Sequence, residues 1–233
     1  MIALNATAGV SGFTLLERKN AMTDTMPRIE AHEFTIADFI GGHPALDFAN
    51  TITSWDQAPR DWIDTYSRLV DWAVMGGLVD TNRAAALRKA AANDRQQAEK
   101  ALARAKDLRL ALHSLFSALA ENREPENDIL LKVEAFWRRA LASHTITCID
   151  GRLVVVSASR AADLDEISDR LARHAVDLAG TFPAGRLRQC AGDRCGWLFV
   201  DHSKAGRRRW CDMATCGNNA KARRHQARQR SAS

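Results

Sequence analysis

The chain has 233 residues, of which 46% are hydrophobic and 26% charged, so it can bury a sizeable core. No stretch approaches eighteen consecutive apolar residues, which excludes a membrane-spanning helix. The first thirty residues lack the basic start and apolar middle of a secretory signal, so we expect residues 1–30 to be a disordered leader and the protein to be cytoplasmic.

The net charge of +5 is unevenly distributed along the chain. Between Arg186 and Arg230 there are twelve Lys or Arg and only three Asp, a net charge of +9 that leaves −4 on the remaining residues. A basic end on a slightly acidic body indicates contact with a polyanion at the C-terminus. A solvated basic tail without a partner is the alternative.

The segment 31–182 is predicted to be a mostly helical domain. Residues 34–55 favour a short strand or loop that leads into "ALDFANTI". The next pattern, "APRDWIDTYSRLVDWAVMGGLV", has apolar residues at helical spacing and ends at Gly76 and Gly77.

Four more helices are predicted along this domain. Residues 82–122 are rich in strong helix formers and divide near Asn93 and Asp94, which can end one helix and cap the next. The stretches "ENDILLKVEAFWRRALASH" and "AADLDEISDRLARHAVDLAG" are amphipathic and predict two further helices.

Between those last two helices, "TITCIDGRLVVVS" predicts a β-hairpin. Asp150-Gly151 between β-branched runs is typical of a two-residue turn, since both turn positions need positive φ. The resulting register puts Cys148 beside Leu153 on the face we expect to be buried, so Cys148 is interpreted as a packing residue. The fold class predicted for the whole chain is α+β: a mostly helical N-terminal domain with a small antiparallel element, then a small finger with a C-terminal basic helix.

The other four cysteines lie in residues 186–230 as two short-spaced pairs. Cys190-x4-Cys195 is followed after fifteen residues by Cys211-x4-Cys216. Two thiol pairs on tight turns, joined by a longer loop, are typical of a structural Zn2+ site with four cysteine ligands. So small a segment has too few apolar groups to fold unaided, and zinc would supply the missing stability.

Two disulfides, an iron–sulfur cluster and a catalytic zinc are the alternatives to a structural zinc. Disulfides are disfavoured because no export signal is present. The spacing matches neither common ferredoxin pattern. A catalytic zinc would usually keep an open position and a His or carboxylate ligand.

After Cys216, the sequence "GNNAKARRHQARQR" predicts a helix capped by Asn218 or Asn219. A helix charged on all sides has no apolar stripe to bury, so it either frays or lies along phosphates. We therefore expect nucleic-acid contacts from this helix and from the arginines before Cys211. The candidates are Arg207, Arg208, Arg209, Asn218, Asn219, Lys221, Arg223, Arg224 and Arg228.

The pattern C-x4-C…R-W-C-x4-C-G-N-N-x-K-x-R-R resembles the CGNR-type zinc finger at the C-terminus of bacterial transcription regulators. In that family the preceding domain, named ABATE, opens with a motif similar to "GGHPALDFANT" at Gly41–Thr51. The resemblance implies that the N-terminal domain senses a small ligand or stress signal and that the finger binds DNA. This chain has Asn219 where the family signature ends in arginine, so a contact made by that arginine is altered here.

The leading functional hypothesis is therefore a DNA-binding transcriptional regulator, not an enzyme, with a homodimer as one possible assembly. RNA binding is an alternative, because phosphate contacts carry no sugar identity, although the few aromatic residues nearby argue against base stacking. An enzyme in the body with the finger as a targeting arm is the third hypothesis.

His43, Asp47 and Asn50 in "HPALDFAN" are a candidate ligand pocket. The competing interpretation is that Asp47 and Asn50 cap or tie the chain at this connection. No catalytic residue is predicted, since the body has no nucleophile elbow, phosphate loop or paired metal ligands.

Overall fold

The computed structural model describes residues 27–55, 58–158, 162–183 and 185–231, with the backbone alone for Ser157 and Ser231. Residues 1–26, most of the predicted leader, lie outside the described residues. Arg28 and Ile29, at the end of the predicted leader, form a short strand.

Helices dominate the described part of the chain. In order, they are α1 Pro44–Ala49, α2 Tyr66–Met75, α3 Thr81–Asn93, α4 Arg95–Ala120, α5 Asn127–Ala142, α6 Glu166–Thr181 and α7 Asn218–Ser231.

The strands are short and form three small sheets. They are β1 Arg28–Ile29, β2 Ile52–Thr53, β3 Arg60–Asp61, β4 His144–Ile149, β5 Arg152–Ser157, β6 Leu187–Gln189 and β7 Leu198–Val200. β3 lies between β1, to which it is parallel, and β2, to which it is antiparallel, while β4–β5 and β6–β7 are antiparallel pairs. The predicted α+β class is confirmed.

Local capping signals set the helix boundaries. As predicted, the chain breaks between α3 and α4, where the Asp94 carboxylate accepts a hydrogen bond from the Gln97 backbone N–H at 2.9 Å. Helix α2 begins after Thr65, whose hydroxyl accepts from the Arg68 N–H at 3.2 Å. It ends at Gly76 and Gly77, and Gly77 has a φ of 69°, a conformation that glycine adopts without strain.

The long helix α4 runs through the centre of the core. Its buried face combines small alanines with Leu108, Leu112 and Phe116, so α1, α5 and α6 can pack closely against it. The same core continues past α6 into the C-terminal region, because Leu198 and Val200 of β7 are buried in it.

The β4–β5 hairpin has the predicted register, with Cys148 opposite Leu153. The prediction that this face is buried is wrong: Cys148 is exposed, and Leu153 and Ile146 are 78% and 68% exposed. The opposite face, which carries Val154, is the one partly covered. Because consecutive valines make both faces of β5 apolar, alternation alone could not select the inner one.

Two further observations concern the surface. Leu141, near the end of the amphipathic helix α5, is 47% exposed. Within the described ranges, no helix combines the length and apolar character needed to cross a membrane.

Candidate metal centre and nucleic-acid interface

The first cysteine pair lies in a tight turn after β6. The Cys190 backbone N–H donates to the Trp197 carbonyl at 2.7 Å, and the Cys195 N–H donates to the Gly192 carbonyl at 3.1 Å. A Cβ atom at Gly192 would lie 3.2 Å from the Cys216 Sγ and 3.5 Å from the Cys190 Sγ. Glycine at this position therefore leaves room for the sulfurs to approach.

The second pair is fixed by an aspartate that was not among the sequence predictions. Asp212 caps a π-helical turn, Met213–Gly217, by accepting from the Thr215 backbone N–H at 2.7 Å. This turn contains Cys216 and continues directly into α7. The prediction that Asn218 or Asn219 caps the last helix is thus wrong, because the helical turn has already begun at Met213. The sequence signal for this cap is Asp212 itself, since Asp is among the residues preferred at helix N-caps.

These two turns bring four sulfurs together. The Sγ atoms of Cys190, Cys195, Cys211 and Cys216 all lie within 4.8 Å of one another, and all four cysteines are free thiols. The Cys195–Cys211 and Cys211–Cys216 Sγ separations are 3.6 and 3.7 Å. A tetrahedron with metal–sulfur bonds of about 2.3 Å has edges of roughly 3.8 Å, so the donor set fits one four-coordinate ion.

The protonation of the thiols also favours a cation. Hydrogen bonds from Cys195 and Cys211 lower the pKa of the Cys190 thiol, while the same contacts with Cys190 raise the pKa of Cys195 and Cys211. Without a positive charge between them, four sulfurs this close cannot all ionise. A bound divalent ion deprotonates coordinating thiols and removes that conflict.

A small apolar cluster surrounds the sulfurs. Phe199 is fully buried, and Trp197 and Trp210 pack against it. Ile40 of the body joins the same cluster. The Arg208 guanidinium carbon lies 4.6 Å from the centre of the Phe199 ring.

Arg208 differs from its two neighbours in the predicted nucleic-acid set. Its backbone N–H donates to the Asp201 carboxylate at 2.8 Å, its Nε donates to the Trp210 carbonyl at 2.9 Å, and its guanidinium also contacts the Cys211 carbonyl. These contacts tie it into the finger. Arg207 and Arg209 are exposed.

Helix α7 carries the other predicted basic residues. All of residues 221–230 are exposed, and the segment 218–231 contains no acidic residue. Lys221, Arg224 and Arg228 share one face by their spacing of three and four. Arg223 points differently: it forms an ion pair with Asp193 of the first cysteine turn.

The body holds the cysteine-rich segment through main-chain contacts. The Asn50 side chain pairs with β7 in both directions: its Nδ2 donates to the Leu198 carbonyl at 2.9 Å, and its Oδ1 accepts from the Leu198 N–H at 2.8 Å. The Val200 N–H donates to the Gly41 carbonyl at 2.9 Å. Asn50 thus acts as an added strand partner for β7, a role not visible from local sequence.

Asp47 and His43, the other members of the predicted ligand pocket, also have partners in the fold. The Asp47 carboxylate accepts from the Gly41 N–H at 2.7 Å, and burial raises the pKa of Asp47 to about 7 despite that bond. His43 Nδ1 accepts from the Ala45 N–H at 3.3 Å, and burial lowers its pKa to about 4. The ligand-pocket hypothesis for these residues stays a prediction.

A second contact between the body and the finger is made at Gly196, next to Cys195. His113 of α4 is buried, contacts the Gly196 carbonyl with its Nε2 at 3.2 Å and stacks on Trp55 at 3.6 Å between ring centres.

A buried ion pair anchors β3 to α4: Arg109 pairs with Asp61 through two bonds of 2.7 and 2.8 Å. Burial would raise the pKa of Asp61, but Arg109 and Lys106 hold it below its usual value.

Comparison with protein families fits this two-part arrangement. The ABATE model, described as "Putative stress-induced transcription regulator", matches residues 42–181, which is more than half of the chain. The chain belongs to the ABATE family. A second model, the CGNR zinc finger, matches residues 186–229 and includes all four clustered cysteines. A comparison with curated proteins finds no match. Below, residues 42–181 are called the ABATE region and residues 186–229 the CGNR finger.

Proposed function

We propose that the protein is a DNA-binding transcriptional regulator whose CGNR finger is shaped by one structural Zn2+ and seats α7 on the phosphate backbone. The single observation that carries the proposal is the continuity of the Cys216 turn with an exposed helix bearing five Lys or Arg and no acid. A metal at the sulfurs would fix the start of that helix and so its direction.

Zinc is the metal that the donor set favours. Four thiolates in tetrahedral arrangement suit Zn2+, and a site closed by four protein ligands is structural. Cys190, Cys195, Cys211 and Cys216 would hold the ion, which would supply folding energy to the finger. The proposal assigns no catalytic activity to the chain.

Within the finger, the proposed phosphate contacts come from the outer face of α7 and from Arg207 and Arg209. Arg208 is left out because its guanidinium is used inside the finger. Asn218 and Asn219 lie exposed at the start of α7, where an Asn side chain can reach a base edge.

The test is a salt titration of duplex DNA binding by fluorescence anisotropy. Neutralising Lys221, Arg224 and Arg228 together to Gln should weaken binding and lower the salt slope by about 0.9 log unit for each phosphate that the variant no longer neutralises. A matched control neutralises three exposed cations of the ABATE region, Lys89, Arg138 and Arg152, and should leave the slope unchanged. Equal slopes for all three proteins would contradict the assignment.

Competition separates DNA from RNA. Unlabelled duplex DNA should displace the labelled duplex at lower concentration than single-stranded RNA of the same length. The reverse order would favour RNA as the natural partner. If the protein is a DNA-binding regulator, the Cys211→Ser variant should lose both its zinc and its binding to chromosomal sites.

A further inference from the structure

A cleft of about 650 Å3 lies between the ABATE region and the CGNR finger. One wall is the β2–β3 segment, with Ser54, Arg60 and Trp62, and the other is formed by the first cysteine turn and the start of α7. The volume far exceeds that of one ion among four sulfurs, although three of those cysteines border the cleft. It lies within the range of small-molecule sites.

The aromatic lining consists of two tryptophans, one from each region. The ring centres of Trp62 and Trp197 are 5.6 Å apart and their planes are nearly perpendicular, at 88°. The indole N–H of each is buried and has no hydrogen-bond partner within the described ranges. What the cleft offers a ligand is the indole rings themselves, which favour a flat apolar body.

Among the residues that the structure describes, the charged lining leaves one guanidinium without a partner. Arg60 pairs with Glu30 at 3.0 Å, and Arg223 pairs with Asp193. Arg194, in the turn between Cys190 and Cys195, makes no ion pair or hydrogen bond with any residue that the structure describes. A loaded four-thiolate zinc centre carries a charge of −2 nearby. The Arg194 guanidinium therefore suits a single carboxylate better than a multiply charged phosphate.

Backbone strain marks the same wall. Ser54 has a φ of 59°, in the left-handed region that residues with a side chain seldom adopt. Its hydroxyl accepts from Arg60 at 3.4 Å. Strained residues concentrate at ligand sites, where the surrounding structure holds them in place.

We propose that this cleft binds an aromatic carboxylate, with the ring against Trp62 and Trp197 and the carboxylate on Arg194. His43, Asp47 and Asn50 do not line this cleft, and Asn50 instead pairs with Leu198 of the finger. Asn219, Ala220 and Arg223 of α7 also line the cleft, so a bound ligand contacts the helix directly. The regulatory consequence, a change in DNA affinity, rests on the proposed function; the binding site does not.

The site is tested on the zinc-loaded full chain labelled with 15N at tryptophan. The six indole N–H signals are assigned by single Trp→Phe variants and followed during titration with 1-naphthoate, a two-ring carboxylate. We expect the Trp62 and Trp197 signals to shift saturably, while the signal of Trp72, buried among α1 and α2, stays in place. Absence of a shift in both cleft signals would overturn the proposal.

Two controls address the carboxylate. 1-Naphthamide has the same rings without the charge and should bind at least tenfold more weakly; equal binding would overturn the assignment to an anion. Arg194→Gln should weaken 1-naphthoate binding about tenfold, whereas Arg152→Gln, which removes an exposed arginine at the start of β5, should leave it unchanged. If the two variants bind equally well, Arg194 does not hold the carboxylate and the proposed geometry is wrong.

Coupling is measured separately, by DNA anisotropy with and without 1-naphthoate. A change in Kd of threefold or more in the wild type, absent from Arg194→Gln, supports it. An unchanged Kd overturns the coupling while the NMR result still decides the site. If the protein binds no DNA, both the proposed function and the coupling are wrong. The NMR titration alone then decides whether the ligand site exists.

Discussion

The ABATE region and the CGNR finger are stabilised by different means. The first buries a continuous apolar core around α4, whereas the cluster around the sulfurs has Phe199 as its one large, fully buried apolar side chain among the described residues. Yet the two are not independent, because Leu187, Leu198 and Val200 of the finger belong to the core of the body. The body therefore orders strands β6 and β7, and the sulfurs order the turn between these strands, the later turn that contains Cys216, and α7.

The largest effect that this division predicts follows from losing the metal. Replacing Cys211 by Ser, or chelating the ion, should remove a contribution of ~10–16 kcal/mol to the fold of the turns and abolish DNA binding. Since β7 stays packed in the body, far-ultraviolet circular dichroism should keep most of its helical signal. Metal analysis and calorimetry check this result, and a complete loss of helical signal would show that the body cannot fold without the finger.

The next effect concerns the contact that joins the two regions. Asn50→Ala leaves the buried N–H and C=O of Leu198 unpaired, so we expect the free energy of unfolding to fall by about 2–4 kcal/mol. Zinc content should remain one ion per chain, because the sulfurs are untouched. Urea unfolding combined with metal analysis measures both quantities. Thr65→Ala, which removes an exposed helix cap, is a control expected to cost about 1 kcal/mol.

A smaller effect depends on pH and on Asp47. Burial raises the pKa of Asp47 from 3.8 to about 7 in the folded protein, so the fold favours the protonated form. Its contribution to stability is greatest below the unfolded pKa, is lost as pH rises towards 7, and is absent above that. Asp47→Asn keeps an acceptor for the Gly41 N–H and removes the titration.

We therefore expect the wild type to lose ~1–3 kcal/mol of stability between pH 5 and pH 8 relative to Asp47→Asn. Thermal unfolding of both proteins at several pH values gives the difference curve. A flat difference would mean that the carboxylate is solvated in the folded protein and that the Asp47 environment is not as apolar as its burial indicates.

Much of this organisation could be predicted from the sequence because the signals were local. The Asp94 cap, the Asp150-Gly151 turn and the spacing of the four cysteines each involve neighbouring residues, and each was confirmed as structure. What was missed depends on distant contacts. Asn50 lies 148 positions from Leu198, and the cleft is formed by segments more than 130 residues apart, so no periodicity or motif links them.

The two errors have different origins. The buried face of the β4–β5 hairpin depends on what covers it, and Leu153 and Val154 are equally apolar in sequence. The start of the last helix depends on the π-helical turn around Cys216, where Asp212 supplies the cap before the expected Asn218. In the hairpin, tertiary packing selected one of two apolar faces, whereas the Asp212 cap is a local bond to Thr215.

The smallest expected effect comes from replacing one exposed cysteine. Thiol reactivity then compares the two regions, because the five cysteines are divided between them. Cys148 is exposed on the hairpin, while the other four belong to the metal centre. In the zinc-loaded protein one thiol per chain should react with a chromogenic disulfide reagent, and all five should react after denaturation with a chelator. Cys148→Ser should remove the fast-reacting thiol without altering zinc content or stability by more than about 0.5 kcal/mol, as expected for a surface site. Additional fast-reacting thiols in the loaded protein would mean that the four sulfurs do not share one ion, and the finger would then need another explanation for its order.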